Sequence, residues 1–211
     1  LPLKPYHPPN DPLKIIYHDD DLLVLDKPSG LLSVPGKASS LSDCLEIRAR
    51  AEFPSALLVH RLDMDTSGVF IMALSKDVQG NLGKQFERRK VAKTYIALCD
   101  GLITEEEGVI DLPLRCDWPN RPKQMVCFDH GKPSQTNWQV LARDEAAETT
   151  RVALTPITGR SHQLRVHLNE IGHPILGDPF YGTGHSQNAA PRLLLHAQSL
   201  AIHHPEDGRR I

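Results

Sequence analysis

The chain has 211 residues, 40% of them hydrophobic, and a formal net charge of −2 at pH 7. This length and composition predict a single fold with a sizeable core, and the charge argues against a uniformly basic nucleic-acid-binding chain. No apolar run approaches the roughly 18 residues that a membrane span requires, and residues 1–30 lack a signal-peptide core. We therefore expect a cytoplasmic protein without membrane contacts.

The N-terminal part of the chain opens with a proline-rich segment. Residues 1–12 hold five prolines, which remove backbone donors and fix φ, so we predict an extended arm. Residues 21–26 (DLLVLD) predict a strand. Apolar residues at helical spacing then predict a helix that starts at Ser39 or Ser40 and ends before Pro54.

The next segment combines two predicted strands with a basic helix. The apolar runs at residues 57–59 and 69–74 predict buried strands on either side of a polar loop. Ser75 can cap the helix that follows, in which apolar residues recur at every fourth position. Its basic residues lie on the opposite face, so this helix carries a positively charged surface.

The remaining elements predict the fold class. Thr158 caps a predicted helix over Arg160–Glu170, which Gly172 ends. Short runs of β-forming residues between turn residues predict the other strands, which lie at residues 93–99, 108–114, 136–142, 149–155 and 193–202. We predict a mixed α/β (α+β) fold with a largely antiparallel central sheet flanked by helices. We predict that residues 13–211 form one domain, without a separate N-terminal domain.

The polar loop at residues 60–68 (HRLDMDTSG) is the first candidate site, because buried strands hold it on both sides. Asp63 or Asp65 could simply form an Asx turn with the Thr and Ser that follow. The segment is similar, however, to the defining motif of the RluA-type pseudouridine synthases. The similarity continues in the family's order along the chain, at residues 26–36 (DKPSGLLSVPG), 93–98 (KTYIAL), 117–124 (DWPNRPKQ), 157–168 (ITGRSHQLRVHL) and 193–197 (LLLHA).

The resemblance implies an activity. It is closest to the dual-specificity RluA branch, whose members isomerise uridine to pseudouridine in a hairpin of 23S large-subunit ribosomal RNA and in the tRNA anticodon stem-loop. It also implies that no cofactor is needed. One departure is Asp65, which stands where the branch often has a small residue and adds a negative charge two positions from Asp63.

Site residues follow from the same resemblance. It implies that Asp63 is the catalytic carboxylate and that Arg160 pairs with it. Tyr95 matches the tyrosine that stacks on uracil and lies within reach of proton transfer at C5. Arg61 resembles the residue that fills the space left by the flipped base, and Leu164 is expected to pack against uracil. Structural alternatives exist for Asp63, Arg160, Tyr95 and Leu164, and for Leu164 core packing is the stronger interpretation.

The chemical step itself stays open at this point. Asp63 could attack C1′, add to the uracil ring or remove a ribose proton. A carboxylate in a partly dry pocket needs a nearby cation to remain ionised. Because Arg160 opens the predicted helix, the helix dipole would also favour an anion there.

Three groups of basic residues predict contacts with RNA phosphates. The first group, residues 76–93, holds six basic and two acidic residues. The second group is Arg115, Arg121 and Lys123, and the third is Arg160 with Arg165. A single charge run is usually only a solvated surface, but three in a slightly acidic chain indicate a phosphate-binding surface. The predicted RNA-binding residues outside the catalytic set are His60, Arg61, Leu164, Lys84, Arg88, Arg115, Arg121, Lys123 and Arg165.

Other functional classes are less compatible with the sequence. The four cysteines form no Cys-x-x-Cys pair and the eleven histidines no His-Glu-x-x-His, so we expect no metal. Residues 65–68 (DTSG) superficially resemble an aspartic-protease motif, but Ser67 interrupts it and no second copy exists. A non-catalytic RNA-binding module would use the basic groups without needing Asp63. We expect a monomer that binds structured RNA.

Overall fold

A computed structural model describes residues 5–211. The chain divides into two compact units. The N-terminal unit comprises residues 5–92 and 199–211, and the central unit comprises residues 93–198. The prediction of one catalytic domain over residues 13–211 stays a prediction. Within residues 5–211, no helix is long and apolar enough to cross a membrane.

The N-terminal unit is built on antiparallel strands and two helices. Strand β2 (Leu22–Lys27) pairs with β1 (Ile15–His18) on one side and β4 (Ser67–Ala73) on the other, and β3 (Leu57–Leu58) also pairs with β4. The elements in chain order are β1 (Ile15–His18), β2 (Leu22–Lys27), α1 (Leu45–Glu52), β3 (Leu57–Leu58), β4 (Ser67–Ala73) and α2 (Lys76–Glu87). Buried apolar side chains of β2, β4 and α2, together with Ile202, form the core of this unit.

Helix α2 forms as predicted, because its first turn and its apolar face are both encoded locally. The Ser75 Oγ atom accepts a hydrogen bond from the Val78 amide at 3.3 Å, which satisfies one of the helix's unpaired donors. Val78 and Leu82 are buried. Lys84 and Arg88 are exposed, so the basic surface predicted for this helix is present.

Helix α1 starts later than predicted. A short 3-10 turn at Ser39–Leu41 precedes it, and α1 begins only at Leu45. The amides of Leu45 and Glu46 donate to the carbonyl oxygens of Leu32 and Ser33 at 2.8 and 3.2 Å. Because the first turn finds these distant acceptors, it needs no serine cap.

The central unit carries a second set of antiparallel pairs. Strand β10 lies between β5 and β9, β6 pairs with the other edge of β9, and β7 and β8 form a separate hairpin. The strands are β5 (Ala92–Asp100), β6 (Glu107–Asp111), β7 (Leu114–Cys116), β8 (Gln124–Val126), β9 (Gln135–Asp144) and β10 (Thr149–Pro156). Strand β11 (Leu195–Ala201) begins in this unit, and its last residues belong to the N-terminal unit. The helices are α3 (Gln163–Glu170) and α4 (Gly184–Asn188). The predicted mixed α/β class with largely antiparallel pairing is confirmed.

The predicted N-terminal arm lies partly outside the described residues, since the structure describes it from Pro5 onward. Residues 5–12 form no helix or strand. The Tyr6 hydroxyl donates to the Asp43 carbonyl oxygen at 2.9 Å and accepts from the Leu32 amide at 3.0 Å. These two bonds tie the irregular segment to the residues around α1.

Candidate active site

The candidate catalytic loop, which is residues 60–66 between β3 and β4 and is called the catalytic loop below, is held in place through its backbone. Ser33 Oγ donates to the Leu62 carbonyl oxygen at 2.6 Å and accepts from the Leu62 amide at 3.1 Å. Ser29 Oγ donates to the Asp65 carbonyl oxygen at 2.7 Å. The half-buried Asp63 therefore lies between fixed neighbours on both sides.

The Lys27 side chain also holds this loop in place. Lys27 is not among the predicted site residues. Its side chain is 0% exposed, and its Nζ donates to the carbonyl oxygens of Pro28, Leu31 and Met64 at 3.0, 2.6 and 2.8 Å. Three acceptors require the three N–H groups of the ammonium form. Burial lowers the pKa of Lys27 to about 7, while the charges of Asp65 and Asp63 act in the opposite direction.

Lys27 thus places a buried cation next to the loop that carries Asp63 and Asp65. The segments DKPSG and HRLDMD, separate in the sequence, form one hydrogen-bonded structure, because Lys27 and Ser29 donate to the carbonyl oxygens of Met64 and Asp65. The sequence signal for Lys27 is its place directly before Pro28 in the first motif.

The side chains of His60 and Arg61 lie in different surroundings, one packed and the other exposed. The His60 ring stacks on Phe70 and Phe86 with centroid distances of 4.5 and 5.1 Å. Its Nε2 accepts from the Ile71 amide at 3.0 Å, so the proton of a neutral ring lies on Nδ1. Arg61 is exposed. His60 therefore packs within the N-terminal unit, and RNA contacts by either residue stay predictions.

In the central unit, the TGR turn differs from the prediction. Helix α3 begins at Gln163, after His162 in the left-handed region with φ 53°, rather than at Arg160 with Thr158 as cap. Buried Gln163 shapes this turn: its Oε1 accepts from the Thr158 hydroxyl at 2.7 Å and from the Arg160 amide at 3.0 Å. Arg160 is exposed and precedes the helix, so it does not lie in the first turn as the dipole argument required.

Lys93 adds a second cation near this turn. A Cβ atom built on Gly159 would lie 3.8 Å from the Lys93 Nζ atom. Lys93 is half-buried, and burial lowers its pKa. The basic character predicted for Arg160 is therefore shared with Lys93, which belongs to the basic group at residues 76–93.

Tyr95 and Leu164 both contact the core of the central unit. Leu164 is 7% exposed and belongs to a buried cluster with Leu154 and Leu195, against which the half-buried Tyr95 packs. The structural alternative for Leu164 thus has direct support. Their predicted contacts with uracil stay predictions.

Arg165 was predicted to contact RNA, but its side chain lies in the protein interior instead of at the surface. The side chain is 1% exposed and pairs with Asp178 through Nε at 2.8 Å and Nη2 at 2.7 Å. Its guanidinium also lies 5.2 Å from the centre of the Phe180 ring and 5.3 Å from that of Tyr181. An arginine buried in this way stabilises the fold instead of presenting charge to phosphates, so the third basic group contains no surface contribution from Arg165.

The other two basic groups lie at the surface of their own units. Lys84 and Arg88, together with Lys76 and Lys90, line an open pocket beside α2 with a volume of about 530 Å³. In the central unit, Arg115 and Arg121 are exposed and Lys123 is half-buried. These positions are compatible with the predicted phosphate contacts.

One group among residues 5–211 has a spacing that could hold a metal ion. Ligand atoms of Asp21, His204 and Glu206 lie within 4.8 Å of one another. His204 already pairs with Asp19, 2.9 Å from Nε2. These residues lie in the N-terminal unit apart from the catalytic loop, and the expectation that the protein uses no metal stays a prediction.

Comparison with known proteins identifies relatives over nearly the whole chain. A family model described as RNA pseudouridylate synthase matches residues 21–170. The dual-specificity RNA pseudouridine synthase RluA of Yersinia pestis is 55% identical over 194 residues, which cover 92% of this chain and 94% of the relative. The protein of the same name from Escherichia coli K12 is 52% identical over 204 residues, covering 96% and 93%.

Solved structures resemble the fold as well. The human RNA pseudouridylate synthase domain containing 1 matches with a TM-score of 0.79 and 34% identity, covering 94% of this chain and 81% of the human chain. The human RNA pseudouridylate synthase domain containing 4 matches with a TM-score of 0.71 and 29% identity, covering 90% and 84%.

Proposed function

The chain belongs to the RNA pseudouridylate synthase family, whose members isomerise uridine in RNA, and from this premise we propose that it modifies both ribosomal and transfer RNA. The observation that carries the proposal is the identity of 52–55%, over more than nine-tenths of both chains, to relatives named for dual specificity. The substrates are a hairpin of the large-subunit RNA and the tRNA anticodon stem-loop. The protein acts in the cytoplasm as a monomer, without a cofactor.

Asp63 supplies the reacting carboxylate in this proposal. The hydrogen bonds of Ser29, Ser33 and Lys27 to the catalytic loop support this assignment, because a reacting group must be held in a fixed geometry. Exposed Arg61 is the residue proposed to enter the helix when the target uridine flips out. Tyr95 and Arg160 keep their predicted roles at the uracil and as the cation for the carboxylate.

Mapping pseudouridines in cells that lack the gene tests the dual specificity. We expect one site in large-subunit ribosomal RNA and one in tRNA to lose the modification. Both should return on expression of the unmodified protein, and neither with Asp63→Asn. If sites in only one RNA class respond, the proposal of two substrates is wrong while the enzyme class stands.

Lys84 provides a test of the docking surface. We expect Lys84→Ala to weaken binding of all hairpin RNAs and to lower the slope of log K against log salt by about 0.7–0.9, because one phosphate contact and its counterion release are lost. The single-turnover rate at saturating RNA should stay unchanged. Binding titrations at several salt concentrations measure the slope.

Arg151→Ala is the matched control, since Arg151 is an exposed cation outside the basic groups. It should alter neither slope nor affinity. An unchanged slope for Lys84→Ala, or a saturated rate that falls with it, contradicts the assignment of α2 as a docking surface.

A further inference from the structure

The hairpin of β7 and β8, with the residues that follow it (residues 114–128), exposes two large aromatic rings. Trp118 is 67% and Phe128 75% exposed. Strands β7 and β8 pair in register from Leu114 with Val126 to Cys116 with Gln124. Tryptophan is highly buried on average in folded proteins. A mostly exposed tryptophan ring on a basic hairpin therefore indicates a binding surface.

The indole ring is held in place although it is exposed. The guanidinium carbon of Arg121 lies 4.1 Å from the centre of the Trp118 ring, a cation–π contact that fixes both side chains relative to each other. The intervening turn is closed by backbone hydrogen bonds from Asp117 to Lys123, Asn120 to Asp117 and Lys123 to Asn120, at 2.9, 3.0 and 3.1 Å. The hairpin therefore presents a preorganised aromatic surface.

The charges around the ring indicate which partner fits. Arg115 and Arg121 are exposed and Lys123 is half-buried, and the Lys123 Nζ atom lies 6.0 Å from the centre of the Tyr181 ring. An aromatic ring among cations is the combination that binds single-stranded RNA, because bases stack on the ring and phosphates bind the cations. An unpaired nucleotide offers both a free base face and a phosphate.

The hairpin is also tied to the TGR turn within the central unit. The Gln124 amide donates to the Tyr181 hydroxyl at 2.8 Å, and that hydroxyl lies 2.7 Å from His162 Nδ1. His162 follows Arg160 by two positions in the same turn. A base held by the hairpin is thus connected through two side chains to the turn that precedes α3.

We propose that Trp118 is a stacking platform for one unpaired base of the RNA substrate, with Arg115 and Arg121 bound to the adjoining phosphates. This inference rests on the proposed function, because it requires a hairpin RNA with an unpaired loop. It adds a second nucleotide to the recognised set, besides the uridine that reacts. The ligand is the loop strand, since paired bases in a duplex do not expose a face for stacking.

Substitution of Trp118 tests the platform. We expect Trp118→Ala to weaken binding of a stem-loop RNA by about 5- to 150-fold, the range of one base stacked on an aromatic side chain. Trp118→Phe should retain most of the affinity, because a phenyl ring also stacks. Leu141→Ala, which truncates another exposed apolar side chain, is the control and should bind normally. The rate of Leu141→Ala at saturating RNA should also match that of the unmodified protein.

Fluorescence locates the base directly. The chain has two tryptophans, so Trp138→Phe leaves Trp118 as the sole indole. Stem-loop RNA should quench its emission, and an abasic site at one loop nucleotide should abolish the quenching. The proposal is overturned if Trp118→Ala binds with full affinity or if RNA leaves the emission unchanged while it binds. The unmodified protein still forms pseudouridine in either case, whereas failure of the proposed function removes that activity itself.

Discussion

Asp63→Asn is expected to abolish pseudouridine formation while folding and RNA affinity remain nearly normal. The amide preserves the shape of the side chain but removes both its charge and its capacity to act as nucleophile or base. We expect the single-turnover rate at saturating RNA to fall by on the order of 10⁴-fold or more. Quench-flow or manual sampling of pseudouridine formation measures that rate.

Asp65→Asn is the matched control for this prediction. Asp65 is half-buried in the same loop, and like Asp63 its charge raises the pKa of Lys27. Its substitution makes the same chemical change and disturbs the same cation. It should retain a rate within about tenfold of the unmodified protein. Equal losses of rate in both variants would show that the rate depends on the negative charge near Lys27 and not on Asp63 as a reacting carboxylate.

Arg165→Met is expected to cause the largest loss of stability. The substitution leaves Asp178 buried without its cation, which costs about 3–5 kcal/mol in the free energy of unfolding. The double variant Arg165→Met/Asp178→Asn should recover part of this loss, because neither charge then remains buried alone. Urea unfolding of both variants provides the measurement, and a single variant as stable as the unmodified protein would contradict the prediction.

The same pair predicts a dependence on pH. Burial alone would raise the pKa of Asp178, but hydrogen bonds and charge attraction from Arg165 outweigh it, so the pKa lies below its ordinary value. A carboxylate with a lowered pKa contributes stability above its unfolded pKa and loses it as pH falls through the folded value. The advantage of the unmodified protein over Asp178→Asn should therefore shrink below about pH 4.

Much of the fold could be predicted because its signals are local. Helix α2 has a serine cap and a periodic apolar face within a few residues of each other, and β2 and β4 are continuous apolar runs bounded by turns. Helix α3 starts later than predicted, because the contacts that determine its first residue are with residues distant in the sequence. The side chain of Gln163 bonds to Gln135 and Thr136 as well as to Thr158, contacts that no periodicity reveals.

The candidate site was predictable as motifs but not as structure. A charged residue in a motif is naturally interpreted as exposed, and this failed for Arg165, whose partner Asp178 lies outside the helix. The role of Lys27 could not be predicted, because a buried lysine is recognised only when the positions of its three carbonyl acceptors are known. The β7–β8 hairpin was not predicted because its strands are only three residues long, and one contact that holds it is with the distant Tyr181 hydroxyl.

Release of tritium from uridine labelled at C5 tests the central claim most directly. Purified protein is incubated with an anticodon stem-loop or with a large-subunit ribosomal hairpin, and tritium in the solvent is compared with pseudouridine in the digested RNA. We predict release from both RNAs, in equal amounts to the pseudouridine formed and without strand cleavage, and none with Asp63→Asn. Folded protein that binds both RNAs but releases no tritium, or Asp63→Asn that releases it at a normal rate, would contradict the claim.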